Sequence, residues 1–161
     1  MHYPKLILLS LIAVFLLPLA TSTVAHATPT LVILGLEASD GNPTTSEVGK
    51  KLHGALKGAI KSHKKVFKLS RNEYDLVELK LVFDCSSAAN PCMAEIGEEV
   101  NGDYLLFGSI HRQGANYRVT IKLLKTKGAK VTVVRSFFPA SPMTSQSLHR
   151  TATMLLNKAL G

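Results

Sequence analysis

The sequence contains no tryptophan, and aromatic residues make up only 6% of its 161 residues. Proteins that bind carbohydrates or nucleobases by stacking rely on exposed aromatic side chains, so this shortage counts against both classes. Charged residues are also few, at 19%, whereas hydrophobic residues reach 46%. This balance argues against general disorder and predicts one folded domain with a substantial core.

Only one long hydrophobic run is present, Leu6–Ala20, and it follows a short basic start. A helix of these 15 residues is too short for a hydrocarbon core of about 30 Å. A basic start, an apolar stretch and small residues after it are typical of a secretory signal. The competing interpretation is a signal anchor that stays attached.

Cleavage is expected after Ala27, in the A-x-A pattern that ends there, with Ala25 and Ala20 as alternative sites. No cysteine lies near this region, so we expect no lipoprotein anchor. Residues 1–27 are therefore predicted to be a signal peptide and residues 28–161 a single domain. We expect that domain to be periplasmic or secreted and, once the signal is removed, not to be an integral membrane protein.

Cysteine occurs only as Cys85 and Cys92. Their separation is too wide for a C-x-x-C redox pair but suits a small loop closed by a disulfide. Export would supply the oxidising compartment that such a bond needs. Two sulfurs alone do not complete a zinc shell, and the loop contains no histidine. We predict a structural disulfide in preference to a catalytic or metal-binding thiol pair.

The chain also lacks the common signatures of catalytic and ligand sites: H-x-x-x-H, G-x-S-x-G and the phosphate-binding P-loop are all missing. Glu37 and Asp40 follow the first predicted strand, where α/β proteins often place ligands. The Asp-Gly-Asn-Pro series that begins at Asp40 is explained by turn formation without a ligand. We expect no cofactor, no metal and no enzymatic activity, with an uncharacterised hydrolase as the distant alternative.

Hydrophobic periodicity predicts an α/β (α+β) domain with the order β-α-(β)-α-α-β-β-β-α. Leu31–Leu36 is predicted to be a buried central strand, and an amphipathic helix is expected over about 45–63, capped by Thr44 or Thr45. Gly54 and Gly58 lie on one side of that helix and are expected to allow another element to approach closely. A short strand is expected at Val66–Leu69.

Two short helices are predicted next, at about 72–82 and 91–100, before an antiparallel three-strand meander at 104–111, 117–124 and 131–138. A last helix begins after Thr144 or Ser145. The strands are expected to form a single mixed sheet with the helices packed mainly on one face.

Three segments in one order resemble a known family: E-L-K at 78–80, C-x6-C-M-A-E-I-G at 85–97 and D-Y-L-L-F-G at 103–108. With them, the stretch from Leu31 to Phe138 resembles bacterial envelope domains of the TolB amino-terminal type, in the fold group that includes LpoB and CsgG. The resemblance implies a non-enzymatic domain that docks other cell-envelope proteins, and it transfers no catalytic residue. The lipidated cysteine, the propeller and the tetratricopeptide modules of such proteins are missing here.

Positive charge is the strongest surface feature, with 19 Lys and Arg against 11 Asp and Glu. The candidate partner-binding residues are Lys50, Lys57, Lys61, Lys64 and Lys68, along the first helix and its extension, and Arg118 and Lys122 on one strand face. The simplest interpretation is a solvated surface. The alternatives are an acidic partner protein, an anionic envelope polymer and a lipid surface. We expect no nucleic acid, because the chain is predicted to be exported. The open edge of the meander is the other candidate contact, by strand addition.

Overall fold

The computed structural model describes residues 27–63, 66–71, 73–85 and 87–161. The predicted signal segment up to His26 and the candidate residue Lys64 therefore lie outside the described residues.

One five-stranded mixed sheet runs through the domain in the order β2-β1-β3-β4-β5. Its strands are β1 (Thr30–Ala38), β2 (Lys68–Leu69), β3 (Tyr104–Gln113), β4 (Asn116–Lys125) and β5 (Lys130–Pro139). β1 is parallel to both of its neighbours, and β3, β4 and β5 are antiparallel. The α+β class, the mixed sheet and the meander predicted from the sequence are thus confirmed.

The described residues contain four α-helices that cover the sheet: α1 (Pro43–Ile60), α2 (Leu76–Val82), α3 (Asn90–Glu99) and α4 (Ser145–Leu160). The two long helices, α1 and α4, pack on one face of the sheet and on each other. The two short helices, α2 and α3, pack on the other face. Most of the helical chain therefore lies on one face, as expected, and the opposite face has a thinner cover.

The larger core lies between the sheet and the two long helices. α1 contributes the buried side chains of Val48, Leu52 and Leu56, whose spacing gives one apolar stripe. Its first residue is Pro43, and the side chain of Asn42 accepts a hydrogen bond from the N–H of Thr44. Asn42 is therefore the N-cap, and the prediction of Thr44 or Thr45 was wrong, because proline fits the first turn and moves the cap ahead of it.

The smaller core lies under α2 and α3 and includes Cys85, which is 4% exposed. α2 begins only at Leu76, since Asp75 accepts hydrogen bonds from the N–H groups of Val77 and Glu78 and so caps the helix there. The disulfide joins this core to α3, because Cys92 lies in the first turn of that helix.

Candidate functional site

The basic side chains predicted from the sequence do not form one surface. Arg118 and Lys122 alternate along β4 with residues that face α1 and α4, so they lie on the opposite side of the sheet, with α2 and α3. The lysines of α1 are thus separated from the two basic residues of the meander by the full thickness of the sheet.

The lysines of the first helix differ in their surroundings. Lys50 and Lys61 are exposed, whereas Lys57 forms an ion pair in which Nζ lies 2.7 Å from a carboxylate oxygen of Glu73. This hydrogen bond and the charge of Lys57 lower the pKa of Glu73. Lys68 lies in strand β2, not on an extension of α1, because the helix ends in a short 3-10 turn and Phe67 is buried.

Part of the sheet beside α2 and α3 is left uncovered by the residues that the structure describes, and we call it the open face. Cross-strand pairing arranges the residues of the open face in three rows. The first row pairs Lys122 with Val133, the second contains Ser109, Thr120 and Arg135, and the third contains His111, Arg118 and Phe137. Helix α3 packs on β3 and β4, and α2 packs on β1, while the helix that packs on β5 is α4, on the opposite face. The β5 side chains of the open face are therefore left in contact with solvent.

Two large apolar side chains are exposed on the open face. Phe137 is 59% exposed and Val133 is 42% exposed, while Arg135 between them and Arg118 opposite Phe137 are also exposed. The next residue along β5, Phe138, points into the larger core and is only 8% exposed. The open face thus combines an apolar patch with guanidinium groups, a composition that is enriched in protein interfaces.

The cysteine loop borders the open face and holds one of its basic side chains. Cys85 and Cys92 form the predicted disulfide, with their Cα atoms 6.1 Å apart. Lys122 Nζ donates a hydrogen bond of 3.3 Å to the main-chain oxygen of Ala88 in this loop, and it lies 5.7 Å from the ring centre of Phe107. The loop therefore fixes Lys122 at the edge of the uncovered region.

The charge of the chain is divided sharply along its length. All 11 Asp and Glu residues occur at or before Asp103, whereas nine of the 19 Lys and Arg residues follow it. The meander and α4 therefore carry the whole excess of positive charge. Composition averaged over the full chain hides this division, although counting the acidic residues segment by segment reveals it.

A second concave region, a cleft of about 640 Å³, lies where β1 ends between α1 and α2. His53 lines it, and its Nδ1 lies so close to Gly35 that a Cβ there would be 2.9 Å away. Gly35 has a φ of +106° at a β-bulge, a conformation that glycine adopts without strain. Burial and, to a lesser extent, the charge of Lys57 lower the pKa of His53, which favours the neutral imidazole.

Several ionisable side chains line the cleft, among them His53, Glu73 and Asp75. His53 Nε2 is buried, and no described residue forms a hydrogen bond with it. Within the part of the chain that the structure describes, no three His, Cys, Asp or Glu side chains are arranged to hold a metal ion.

The carboxylates predicted to follow the first strand, Glu37 and Asp40, lie near the end of β1, with Glu37 still inside the strand, and both form contacts within the domain. Glu37 pairs with Lys80 of α2 at 2.9 Å. Asp40 accepts hydrogen bonds from the N–H groups of Arg112 and Asn42 and from the hydroxyl of Thr45, and the bond from Arg112 contributes most to lowering its pKa. The bond from Asn42 is the local turn contact that the sequence indicated, and the bond from Arg112 in addition ties this turn to the end of β3, which the sequence did not indicate.

Comparisons with known proteins identify the fold. No family model matches the chain, and no curated protein sequence matches it either. Among solved structures, TolB from Acinetobacter baumannii is 12% identical with a TM-score of 0.51, and the match covers 83% of this chain and 28% of TolB. This chain and part of TolB share a fold. The resemblance predicted from the sequence is thereby confirmed for the fold.

Two further solved structures match at lower TM-scores. The LpoB C-terminal domain from Salmonella enterica is 14% identical with a TM-score of 0.47, covering 70% of this chain and 84% of that one. A PelC dodecamer from Paraburkholderia phytofirmans is 10% identical with a TM-score of 0.49, and the match covers 83% of this chain and 87% of the PelC chain.

Over the described ranges, none of the helices has the length and hydrophobicity required to span a membrane.

Proposed function

We propose that residues 28–161 act, after removal of a signal peptide, as a non-catalytic docking module that binds another protein of the bacterial cell envelope. The module works in the periplasm or outside the cell. The observation that carries this proposal is the open face, where Phe137 and Val133 are exposed beside Arg118 and Arg135. Exposed apolar side chains next to guanidinium groups are characteristic of surfaces that bind other proteins.

The predicted export and the fold add support from independent directions. The disulfide needs an oxidising compartment, which the envelope of a bacterium provides. The fold shared with part of TolB agrees with the family resemblance, and that resemblance implies a domain that docks other envelope proteins. None of these observations requires a catalytic residue.

The direct test places a photo-reactive amino acid at position 137 of the full chain, expressed in the bacterium that produces it. We expect ultraviolet light to link this position to a protein of the envelope and not to lipid or polysaccharide. Position 81 provides the matched control, because Leu81 of α2 is also apolar and is 77% exposed. Folded, exported protein that gives no protein adduct at position 137 would refute the proposal, and so would adducts that form at position 81 alone.

A second function rests on the basic side chains of α1. Lys50 and Lys61 are exposed and form no ion pair with any described residue, so they are available to an anionic polymer or lipid surface. Lys57 contributes less, because Glu73 neutralises it. This function predicts binding to phosphatidylglycerol vesicles that weakens steeply with salt and is lost in the Lys50→Glu, Lys61→Glu double variant. Unchanged sedimentation of that variant with vesicles would reject it.

A further inference from the structure

Within the described ranges, no strand pairs with the outer edge of β5, which is a long strand edge. β5 pairs with β4 over all ten residues from Lys130 to Pro139 without a shift in register, and it is the last strand of the sheet. In an antiparallel strand, every second residue directs its main-chain N–H and C=O away from its partner. Edge strands are commonly made short, bulged or interrupted by proline, whereas proline occurs here only at the final residue.

Side chains on the open face define what a neighbouring strand would meet. Val133, Arg135 and Phe137 alternate along β5 and share this face, and all three are exposed. A strand added to the edge places its own side chains about 5 Å from them, within range of direct contact. Positions opposite Val133 and Phe137 favour apolar residues, because both surfaces are then removed from water.

Charge determines which residue type is favoured in the added strand opposite Arg135, between the two apolar positions. Arg135 is exposed, Arg118 lies diagonally across β4, and no Asp or Glu occurs anywhere after Asp103. Opposite charges on adjacent strands stabilise pairing, and like charges destabilise it. A carboxylate in the added strand therefore finds guanidinium partners, whereas a lysine or arginine is repelled by the whole meander.

The same reasoning disfavours a second copy of this chain as the occupant. Pairing of two β5 strands around a two-fold axis near Arg135 brings the two guanidinium groups together. It also brings together two meanders that have no acidic residue between them. The occupant that complements this edge is a different, acidic chain.

We propose that β5 receives an extended segment of another protein as a sixth strand. This segment has an apolar, an acidic and an apolar residue at alternate positions, opposite Val133, Arg135 and Phe137 respectively. The inference rests on the proposed docking function and specifies the chemistry of the partner. Main-chain hydrogen bonds would supply affinity, and the three alternate side chains would supply specificity.

The test selects binders from a library of random ten-residue peptides displayed on phage, with the disulfide-intact mature chain as the target. We expect enriched peptides to contain the apolar–x–acidic–x–apolar pattern. On binding, amide hydrogen exchange should slow in the outward-facing residues of β5. Failure to enrich any peptide would overturn the proposal, as would enriched peptides without an acidic residue or without protection of β5.

Two matched variants locate the charge contact. Arg135→Glu is expected to weaken the selected peptides about tenfold, since one favourable pair becomes unfavourable. Arg150→Glu makes the same change in charge at an exposed position of α4 and should leave the affinity within about twofold. Equal losses in both variants would show attraction by net charge alone and would overturn the strand assignment.

Main-chain pairing is tested with N-methylated peptides. Methyl groups on the amides of alternate residues block one edge of the peptide and leave the other edge free. Methylation of one set should weaken binding by more than about tenfold, because several hydrogen bonds are lost together, while the other set should change it little. Equal effects of the two sets would contradict strand addition.

The outcomes distinguish this inference from the docking function itself. Protein adducts at position 137 in cells, combined with failure of the peptide tests, would retain the docking function and remove the strand-addition mechanism. A concentration-dependent dimer in sedimentation experiments, abolished by Phe137→Ser, would assign the edge to a second copy and overturn the inference.

Discussion

The ammonium group of Lys122 in β4 donates a hydrogen bond to the main-chain oxygen of Ala88, across 3.3 Å. Ala88 lies in the loop that the Cys85–Cys92 disulfide closes. The disulfide restrains this loop, and the loop in turn restrains the side chain of Lys122 at the border of the open face. This contact joins segments that are 34 residues apart, and it connects two features that the sequence presents separately: the cysteine pair and the basic residues of the meander.

The disulfide should stabilise the domain measurably. Replacing both cysteines, as Cys85→Ser with Cys92→Ser, is expected to lower the free energy of unfolding by about 2.5 kcal/mol, since closing a loop of this length restricts the unfolded chain. Urea unfolding of the two proteins measures the difference. A reducing agent should lower the stability of the wild type to that of the variant and leave the variant unchanged. Equal stability of oxidised and reduced wild type would contradict a structural role for the bond.

Adjacent phenylalanines on β5 provide a matched pair for the two faces of the sheet. Phe138 is buried against α4, so Phe138→Ala should cost about 3–5 kcal/mol of stability through lost burial and the cavity that remains. Phe137 is 59% exposed, so Phe137→Ala should change stability by no more than about 0.5 kcal/mol. Thermal unfolding of both variants measures the contrast. Comparable losses of stability in the two variants would mean that Phe137 is buried, which would contradict the exposure of the open face.

The pattern of apolar residues was sufficient to predict most of the fold. Alternation in the segment that begins at Tyr117 gave β4 and the face that it buries, and the order of all nine predicted elements agrees with the structure. Boundaries set by side-chain caps were harder to predict. Asn42 and Asp75 are the N-caps of α1 and α2, but residues near them can cap a helix about as well. Periodicity alone therefore does not define the first residue of either helix.

The site was predictable only in part, because it depends on contacts between distant segments. Spacing correctly indicated the disulfide, and it placed Arg118 and Lys122 on one face of their strand. Spacing could not show that Arg118 and Lys122 are on the face of the sheet away from α1. The face on which a helix packs is decided by tertiary structure. The ion pair between Lys57 and Glu73 and the exposure of Phe137 depend on tertiary structure in the same way.

Two glycines inside α1 are expected to limit its stability. Gly54 and Gly58 are exposed, and a Cβ at either position would meet no atom within 4 Å. The expectation that they allow close approach of another element was therefore wrong. Gly54→Ala and Gly58→Ala should each raise stability by up to about 1 kcal/mol, because alanine favours the helix and fits the available space.

Gly97 of α3 is the control for this pair, since a Cβ there would collide with the side chain of Thr126. Gly97→Ala is expected to destabilise the domain despite the better helix propensity of alanine. Denaturant midpoints of the three variants give the comparison. Stabilisation by Gly97→Ala, or destabilisation by both α1 variants, would contradict the packing described for these helices.

His53 should make the stability of the domain depend on pH between neutral and mildly acidic conditions. Burial lowers its pKa in the folded state, and Lys57 adds to this effect, while Glu73 and Asp75 act in the opposite direction. The unfolded chain, with a pKa of about 6.5, therefore takes up a proton at a higher pH than the folded protein does. The contribution to stability is complete above pH of about 6.5 and is lost as the pH falls towards the lowered folded-state value.

The measurement is the free energy of unfolding of wild type and His53→Gln in a series of buffers from neutral to mildly acidic pH. Glutamine does not titrate, so the variant should lose less stability than the wild type over this range. The carboxylates Glu73 and Asp40 have lowered pKa values as well, and their contribution to stability is lost as the pH falls through the usual carboxyl range of about 4 and below, under the window assigned to His53. The substitution removes only the smallest of the causes that lower the pKa of Glu73, the charge of His53. Parallel curves for the two proteins between neutral pH and about pH 5 would mean that His53 is as accessible to water as in the unfolded chain. The close packing of its imidazole against Gly35 argues against that result.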